Sequence, residues 1–177
     1  MKYSIIIVIA ISLMIVSSSC KKDRLPEPTQ TGRNTFGCLI NGVLFKPKGS
    51  VLKGSMPDAQ YGYRPFEAGF TLEIDVENKV DDHLKTLHLY YTSEVELKSG
   101  MTIPITSRTM EAASESYTDY ADYRWVYNTS EKAKGELKIS HFDKVNRIVS
   151  GTFWFDAVNK ELSKVEVREG RFDIKYY

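Results

Sequence analysis

The residues with chemistry to offer are few and scattered. Glu73, Asp75 and Glu77 alternate with apolar residues, so they share one strand face at a spacing of about 7 Å. Calcium prefers oxygens gathered from a tight loop, and a solvated strand face is the plainer reading. The Asp81-Asp82 pair is the nearby source of further oxygens. The histidines are His83, His88 and His141; His83 and His88 lack the i, i+2 or i, i+4 spacing of ligands on one strand or helix. No HExxH or Cys/His cluster occurs, so no metal ligand is assigned. There is no G-x-S-x-G. Ser50-Val51-Leu52-Lys53 matches S-x-x-K but lies in a Gly/Lys-rich stretch rather than at a helix start. Nothing selects a glycosidase pair from the 23 acidic side chains. No catalytic residue and no cofactor is assigned.

The aromatics carry more. Tyr123, Trp125 and Tyr127 share one strand face, opposite Asp122, Arg124 and Val126. That face is either core, stabilised by cross-strand packing, or an exposed platform for a sugar ring or a partner protein. Trp154 shares its face with Thr152 and Asp156, while Phe153 and Phe155 take the other. If the phenylalanines point inward, Trp154 faces solvent or lies under a loop. Tyr61, Tyr63 and Phe66 are placed to cover it or to line the same surface. The candidate ligand-binding set is therefore Trp154, Tyr123, Trp125, Tyr127, Tyr61 and Tyr63.

One cysteine has a different chemistry. Lys2 precedes an apolar run from Ile5 to Val16, broken only by Ser12, and Ser17-Ser18-Ser19 leads into Cys20. The run is short of the roughly 20 apolar residues of a spanning helix and has the flanks of a signal peptide. Residues 1–19 are expected to be a leader and Cys20 a site of lipidation, which anchors firmly when two or three acyl chains are present. Cys38 then has no disulfide partner; in the apolar run Phe36–Ile40 it is expected to be a buried, inert thiol. Loss of the leader removes Lys2 and leaves a formally neutral chain, which argues against a nucleic-acid partner.

Residues 20–33 are polar, contain Pro26 and Pro28, and lack an apolar period; they are expected to form a lipidated, flexible tether. From Asn34 the chain reads as one all-β domain, 34–177. Asn41-Gly42 between apolar runs marks a hairpin, and Glu67–Val76 and Leu84–Thr92 are half-buried strands. Lys46–Pro65 and Thr106–Asp119 are expected to be loops. Gly135–Phe142 and Ile148–Val158 pair across Asp143-Lys144-Val145-Asn146. Lys164–Arg168 and Arg171–Tyr177 are expected to pair across Glu169-Gly170. About nine short strands with turns between them predict an antiparallel two-sheet β-sandwich, with an open barrel as the alternative.

The tract Ser150-Gly151-Thr152-Phe153-Trp154-Phe155, with Glu169-Gly170-Arg171-Phe172-Asp173 and the opening Asn34–Gly42, resembles a group of small Bacteroidetes lipoproteins of unknown function. The resemblance implies a β-rich domain behind a lipid anchor, and implies no activity. Lys22-Asp23 after the lipid site partly resembles the surface-export signal of such lipoproteins. The expected location is the cell envelope, as an outer-membrane lipoprotein on either the periplasmic or the surface face. The expected partners are the membrane, through Cys20, and a glycan or an envelope protein. The expected function is non-catalytic binding; a structural or adhesion subunit and a hydrolase with an unrecognised carboxylate site are the alternatives.

Overall fold

Alternating apolar and polar residues make a two-faced strand, and such a strand is stable where its apolar face meets a second layer. The computed structural model describes residues 23–48, 57–80, 83–105, 114–119, 125–129 and 134–177. Its strands are β1 (Thr35–Ile40), β2 (Val43–Phe45), β3 (Asp58–Arg64), β4 (Gly69–Val80), β5 (His83–Ser93), β6 (Thr102–Ile105), β7 (Ser114–Asp119), β8 (Trp125–Asn128), β9 (Gly135–Asp143), β10 (Ile148–Val158) and β11 (Lys164–Lys175). Neighbouring strands pair antiparallel throughout these ladders. Among the described residues no helix is long and apolar enough to cross a membrane.

The strands form two layers of an antiparallel sandwich, not a closed barrel. One layer runs β2-β1-β11-β10-β9-β6 and the other β8-β7-β5-β4-β3. Strand β10 belongs to the first along most of its length and touches the second at its end, where Val158 pairs with Asn128. At the opposite side, Tyr61 N–H donates to the Tyr177 carbonyl at 3.1 Å and Tyr177 N–H to the Ala59 carbonyl at 3.0 Å. Between the layers lie Leu72, Ile74, Val76, Leu87 and Leu89 from one side and Ile139, Val149, Phe155, Val167 and Ile174 from the other. Cys38 is buried with them, and burial pushes its thiol pKa well up.

Several elements agree with the sequence pattern. Asn41 (φ 48°) and Gly42 (φ 79°) turn β1 into β2 in the left-handed conformation a tight hairpin needs. Asp143 Oδ1 accepts from Val145 N–H and Asn146 N–H, closing the β9–β10 turn.

Three expectations are corrected. Residues 58–64 form strand β3 rather than part of a loop; Gly62 and flanking prolines hide the alternation, and only the pairing with β4 reveals it. Residues 114–119, Ser-Glu-Ser-Tyr-Thr-Asp, form strand β7 without an apolar face pattern, through backbone ladders to β5 and β8. Glu169-Gly170 is not a hairpin turn. Strand β11 runs straight through it, and one extra residue bulges against both neighbours: Phe153↔Gly170 is followed by Phe155↔Val167, and Gly37↔Arg171 by Leu39↔Arg168. The bulge switches the strand's phase, so Val165 and Val167 point inward before it and Phe172 and Ile174 after it. A Glu-Gly pair with φ 52° at the glutamate has a turn's signature in sequence.

Cross-strand pairs of glycine and aromatic fix this centre. Phe153 lies against Gly170, and Phe172 against Gly151, its partner across the ladder. A Cβ on Gly170 would come within 2.5 Å of the Phe153 ring, and one on Gly151 within 2.7 Å of Phe172.

The polar face of the first layer is covered by the segment that precedes β1. Asp173, on β11, is buried there with a side chain that accepts five hydrogen bonds. They come from the Thr29 hydroxyl (2.5 Å), Thr31 N–H (3.1 Å), Gly32 N–H (2.8 Å), Arg33 N–H (3.2 Å) and the Ser150 hydroxyl (2.8 Å). Earlier in the segment, Pro26 and Leu25 pack against Gly37, which has no side chain to displace them. Residues 25–33, expected to be part of a flexible tether, thus lie fastened as a strap. The sequence hid this because its fastener is 140 residues or more away along the chain. Burial pushes the Asp173 pKa up, but the bonds from Thr29, Gly32, Ser150 and Thr31 outweigh it and hold the carboxyl below its ordinary value.

Gly170→Ala should therefore cost about 2–3 kcal/mol through overpacking of Phe153. Gly42→Ala, at an open turn with nothing within 4 Å, should cost about 1 kcal/mol from φ alone. Urea unfolding of the two variants checks the order. Asp173→Asn should lower stability by about 2–3 kcal/mol and open the Arg33–Asn34 bond to trypsin under native conditions. With its folded pKa lowered, Asp173 contributes stability that is full above the unfolded value of about 3.9 and is lost as pH falls through the folded value. The acid-side loss of stability should be shallower in Asp173→Asn than in the parent chain.

Candidate functional site

Strand β10 alternates through its middle: Phe153, Phe155 and Ala157 are buried, and Thr152 and Trp154 are exposed. Trp154 keeps 40% of its surface accessible on the outer face of the first layer. Glu136 of β9 stands directly across the ladder from it. On the other side the β11 bulge brings Arg168 alongside. The Arg168 guanidinium lies over the indole, 5.6 Å from the ring centroid, within the range of a cation–π contact.

Arg168 is itself held. It donates to the carbonyls of Phe155 (3.0 Å) and Val167 (2.9 Å), and to Asp156 Oδ1 at 2.6 Å. Lys164 Nζ lies 3.0 Å from the other oxygen of Asp156. Burial pushes the Asp156 pKa up, but Arg168 and Lys164 outweigh this and hold it below the ordinary carboxylate range, so the carboxylate that positions Arg168 stays ionised near neutrality. The side chain that fixes the indole is thus fixed through three acceptors.

Trp154, Glu136, Thr152, Glu169, Arg171 and Pro28 line an open concavity of about 330 Å³. A second concavity of about 360 Å³ adjoins it along the strap and shares Pro28, Thr152 and Arg171. Arg171 borders both, and its guanidinium donates to the Pro26 carbonyl at 3.4 Å. The strap is therefore one wall of the site. The arrangement joins a flat apolar surface to acidic and basic hydrogen-bonding groups, as sites for small amphipathic ligands do.

The other sequence-predicted aromatics do not join it. Tyr127 is buried in the core with 7% of its surface exposed, and Val126 and Asn128 face outward instead, so Tyr127 is no platform. Tyr61 sits at the core margin with its ring edge-on to Phe142 (4.8 Å) and Tyr176 (5.5 Å). Its hydroxyl accepts the Leu97 N–H at 3.0 Å, and burial pushes its pKa up to about 12. Tyr63 is 59% exposed and edge-on to Phe70 at 5.4 Å. Both tyrosines lie on β3 in the second layer, so they neither cover Trp154 nor line its surface. Cys20, Tyr123 and the Trp125 side chain lie outside the described residues, as do the Ser50-Lys53 motif and the Asp81-Asp82 pair.

Arg168, Arg171, Glu136 and Pro28 were not selected from the sequence. Arg168 and Arg171 face the same side only because of the bulge, and the Glu169-Gly170 turn signature disguised it. Glu136 depends on the β9–β10 register, which has its own bulge between Ser150 and Gly151.

Residues 89–173 match the model of a domain of unknown function (DUF6252). The matched segment runs from within β5 to within β11 and contains Trp154, Arg168 and Asp173, but not the strap that walls the site. No curated protein and no solved structure matches the chain.

Proposed function

We propose that this chain is an envelope-anchored lipoprotein that binds a glycan, without catalysis, on the outer face of its first layer. The observation that carries the reading is Trp154: an indole exposed in an open concavity, oriented by a fixed arginine and rimmed by Glu136, Thr152 and Arg171. A sugar ring has an apolar C–H face that suits the indole and hydroxyls that suit the rim.

The sheet edges favour this over a strand-pairing structural role. β2 spans Val43–Phe45, β6 carries Pro104, and β3 already bonds Tyr177, so these edges offer little free backbone to a neighbouring chain. A hydrolase of the two-carboxylate kind needs an acid with a raised pKa. Among the described residues, every carboxylate with a displaced pKa is displaced downward.

The test is a glycan-array screen of the full chain in detergent, with Trp154→Ala and Tyr63→Ala compared. Binding is expected to be specific, lost in Trp154→Ala and kept in Tyr63→Ala, with both variants melting near the parent temperature because both side chains are exposed. Binding to no glycan, or equal binding by Trp154→Ala, overturns the reading. For the anchor, Cys20→Ala should move the chain from the membrane fraction to the soluble fraction of fractionated cells.

A further inference from the structure

The second layer has an outer face of its own, and its polar residues are arranged by register rather than by sequence spacing. Leu72, Ile74 and Val76 point inward, which turns Glu73 and Asp75 outward on β4. On β5, Leu87 and Leu89 point inward, which turns His88 outward. The β4–β5 ladder sets Asp75 directly opposite His88 and Glu73 opposite Tyr90. One ring nitrogen of His88 and one carboxylate oxygen each from Glu73 and Asp75 lie within 4.8 Å of one another.

We propose that His88 Nε2 and Glu73 Oε1, with Asp75 as the carboxylate behind the imidazole, bind a first-row divalent cation of the zinc type whose remaining positions are filled by water. Three features of the geometry support it. First, the imidazole is oriented as a ligand is. Its Nδ1 lies 2.8 Å from Asp75 Oδ1, a geometry in which the carboxylate accepts the Nδ1–H and the neutral ring offers Nε2 as the ligating nitrogen. A carboxylate behind the second ring nitrogen is the usual support of a metal-bound histidine. Second, Nε2 faces Glu73 Oε1 at 4.0 Å. Tetrahedral zinc, with bonds of about 2.0–2.2 Å, needs its donors about 3.4 Å apart, so a small closing movement of two side chains is enough. Third, Glu73 is steadied through its other oxygen, since Arg64 Nη2 lies 2.9 Å from Oε2. That leaves Oε1 as the ligating atom and supplies the hydrogen bond that ligating carboxylates normally carry.

The surroundings agree in charge. Asp58 stands opposite Asp75 on β3, and Glu67, which accepts hydrogen bonds from Thr71 and Tyr90, lies near the other end of the same face. Arg64 is the cation that pairs with Glu67 and Glu73 there. The Tyr90 ring stacks on the His88 ring at 5.9 Å and limits its rotation. An imidazole in the set favours zinc or a neighbouring transition ion over calcium or magnesium, which prefer all-oxygen shells. The site lies outside residues 89–173 and on the opposite layer from Trp154, so it does not depend on the glycan reading.

The experiment is isothermal titration of the metal-free full chain with Zn²⁺, paired with thermal melts with and without Zn²⁺. The expected result is one saturable site, a rise in Tm with Zn²⁺, and no comparable rise with Mg²⁺ or Ca²⁺. His88→Gln and Glu73→Gln should each weaken binding by at least about tenfold and remove the Tm rise, while Glu77→Gln, on the same face, keeps both. Metal-free melts near the parent value show that the variants fold, as their partly exposed positions predict. Absence of saturable Zn²⁺ binding, or binding that persists unchanged in both His88→Gln and Glu73→Gln, overturns the proposal.

Discussion

The Asp173 carboxylate is the constraint on which the first layer depends. It sits on the central strand β11, on the polar face, where an ionised group sealed from water without partners would cost several kcal/mol. The sequence answers with donors from two directions: the Ser150 hydroxyl from β10, and Thr29, Thr31, Gly32 and Arg33 from the strap. Charge-assisted bonds of this kind are among the stronger hydrogen bonds in proteins. The strap in turn seals the carboxylate. Each arrangement supports the other, and together they place Pro28 where it walls the concavity beside Trp154.

The bulge in β11 is the second condition. A regular strand would send Arg168 and Arg171 to opposite faces. The added residue lets the strand keep Val165 and Val167 in the core at one end and Phe172 and Ile174 at the other, with both arginines outside. Gly170 follows the bulge and receives the Phe153 ring, and Phe172 lies on Gly151. The tracts that look like a family signature are thus mostly structural: they specify a phase change, two ring-on-glycine contacts and the Asp173–Ser150 bond. Trp154 serves none of these functions.

Much of the architecture was legible because it rests on local alternation. β4, β5, β9 and β10 have it, and Asn41-Gly42 announces its hairpin. β3 and β7 were not legible, since their stability comes from ladders on their neighbours and not from a face pattern of their own. That Trp154 lies on the face opposite Phe153 and Phe155 followed from period 2, but whether that face is open or covered by a loop did not. Tyr61 and Tyr127 could not be placed the same way, because the same alternation serves either face until the opposing layer is known. The Glu73–Asp75–His88 cluster was invisible for a sharper reason. His88 has no partner at ligand spacing along the chain, and Asp75 becomes its neighbour only through the β4–β5 register. Site residues recruited across a ladder leave no motif.

The strap also changes the geometry of the proposed anchor. A free linker over residues 20–33 would let the domain stand well away from a bilayer. With Pro26 packed on Gly37 and Asp23 within 2.5 Å of Lys46, the chain is held against the domain from Asp23 onward. From Cys20 to Pro26 it reaches at most about 20 Å when fully extended. A lipid on Cys20 would therefore keep the β1–β2 side of the first layer near the membrane surface, with the Trp154 concavity on the same face a short distance beyond it. The second layer's outer face, with Glu73, Asp75 and His88, looks the other way. With such an anchor the two faces would meet different surroundings, because the clamp at Asp173 fastens the strap to the first layer.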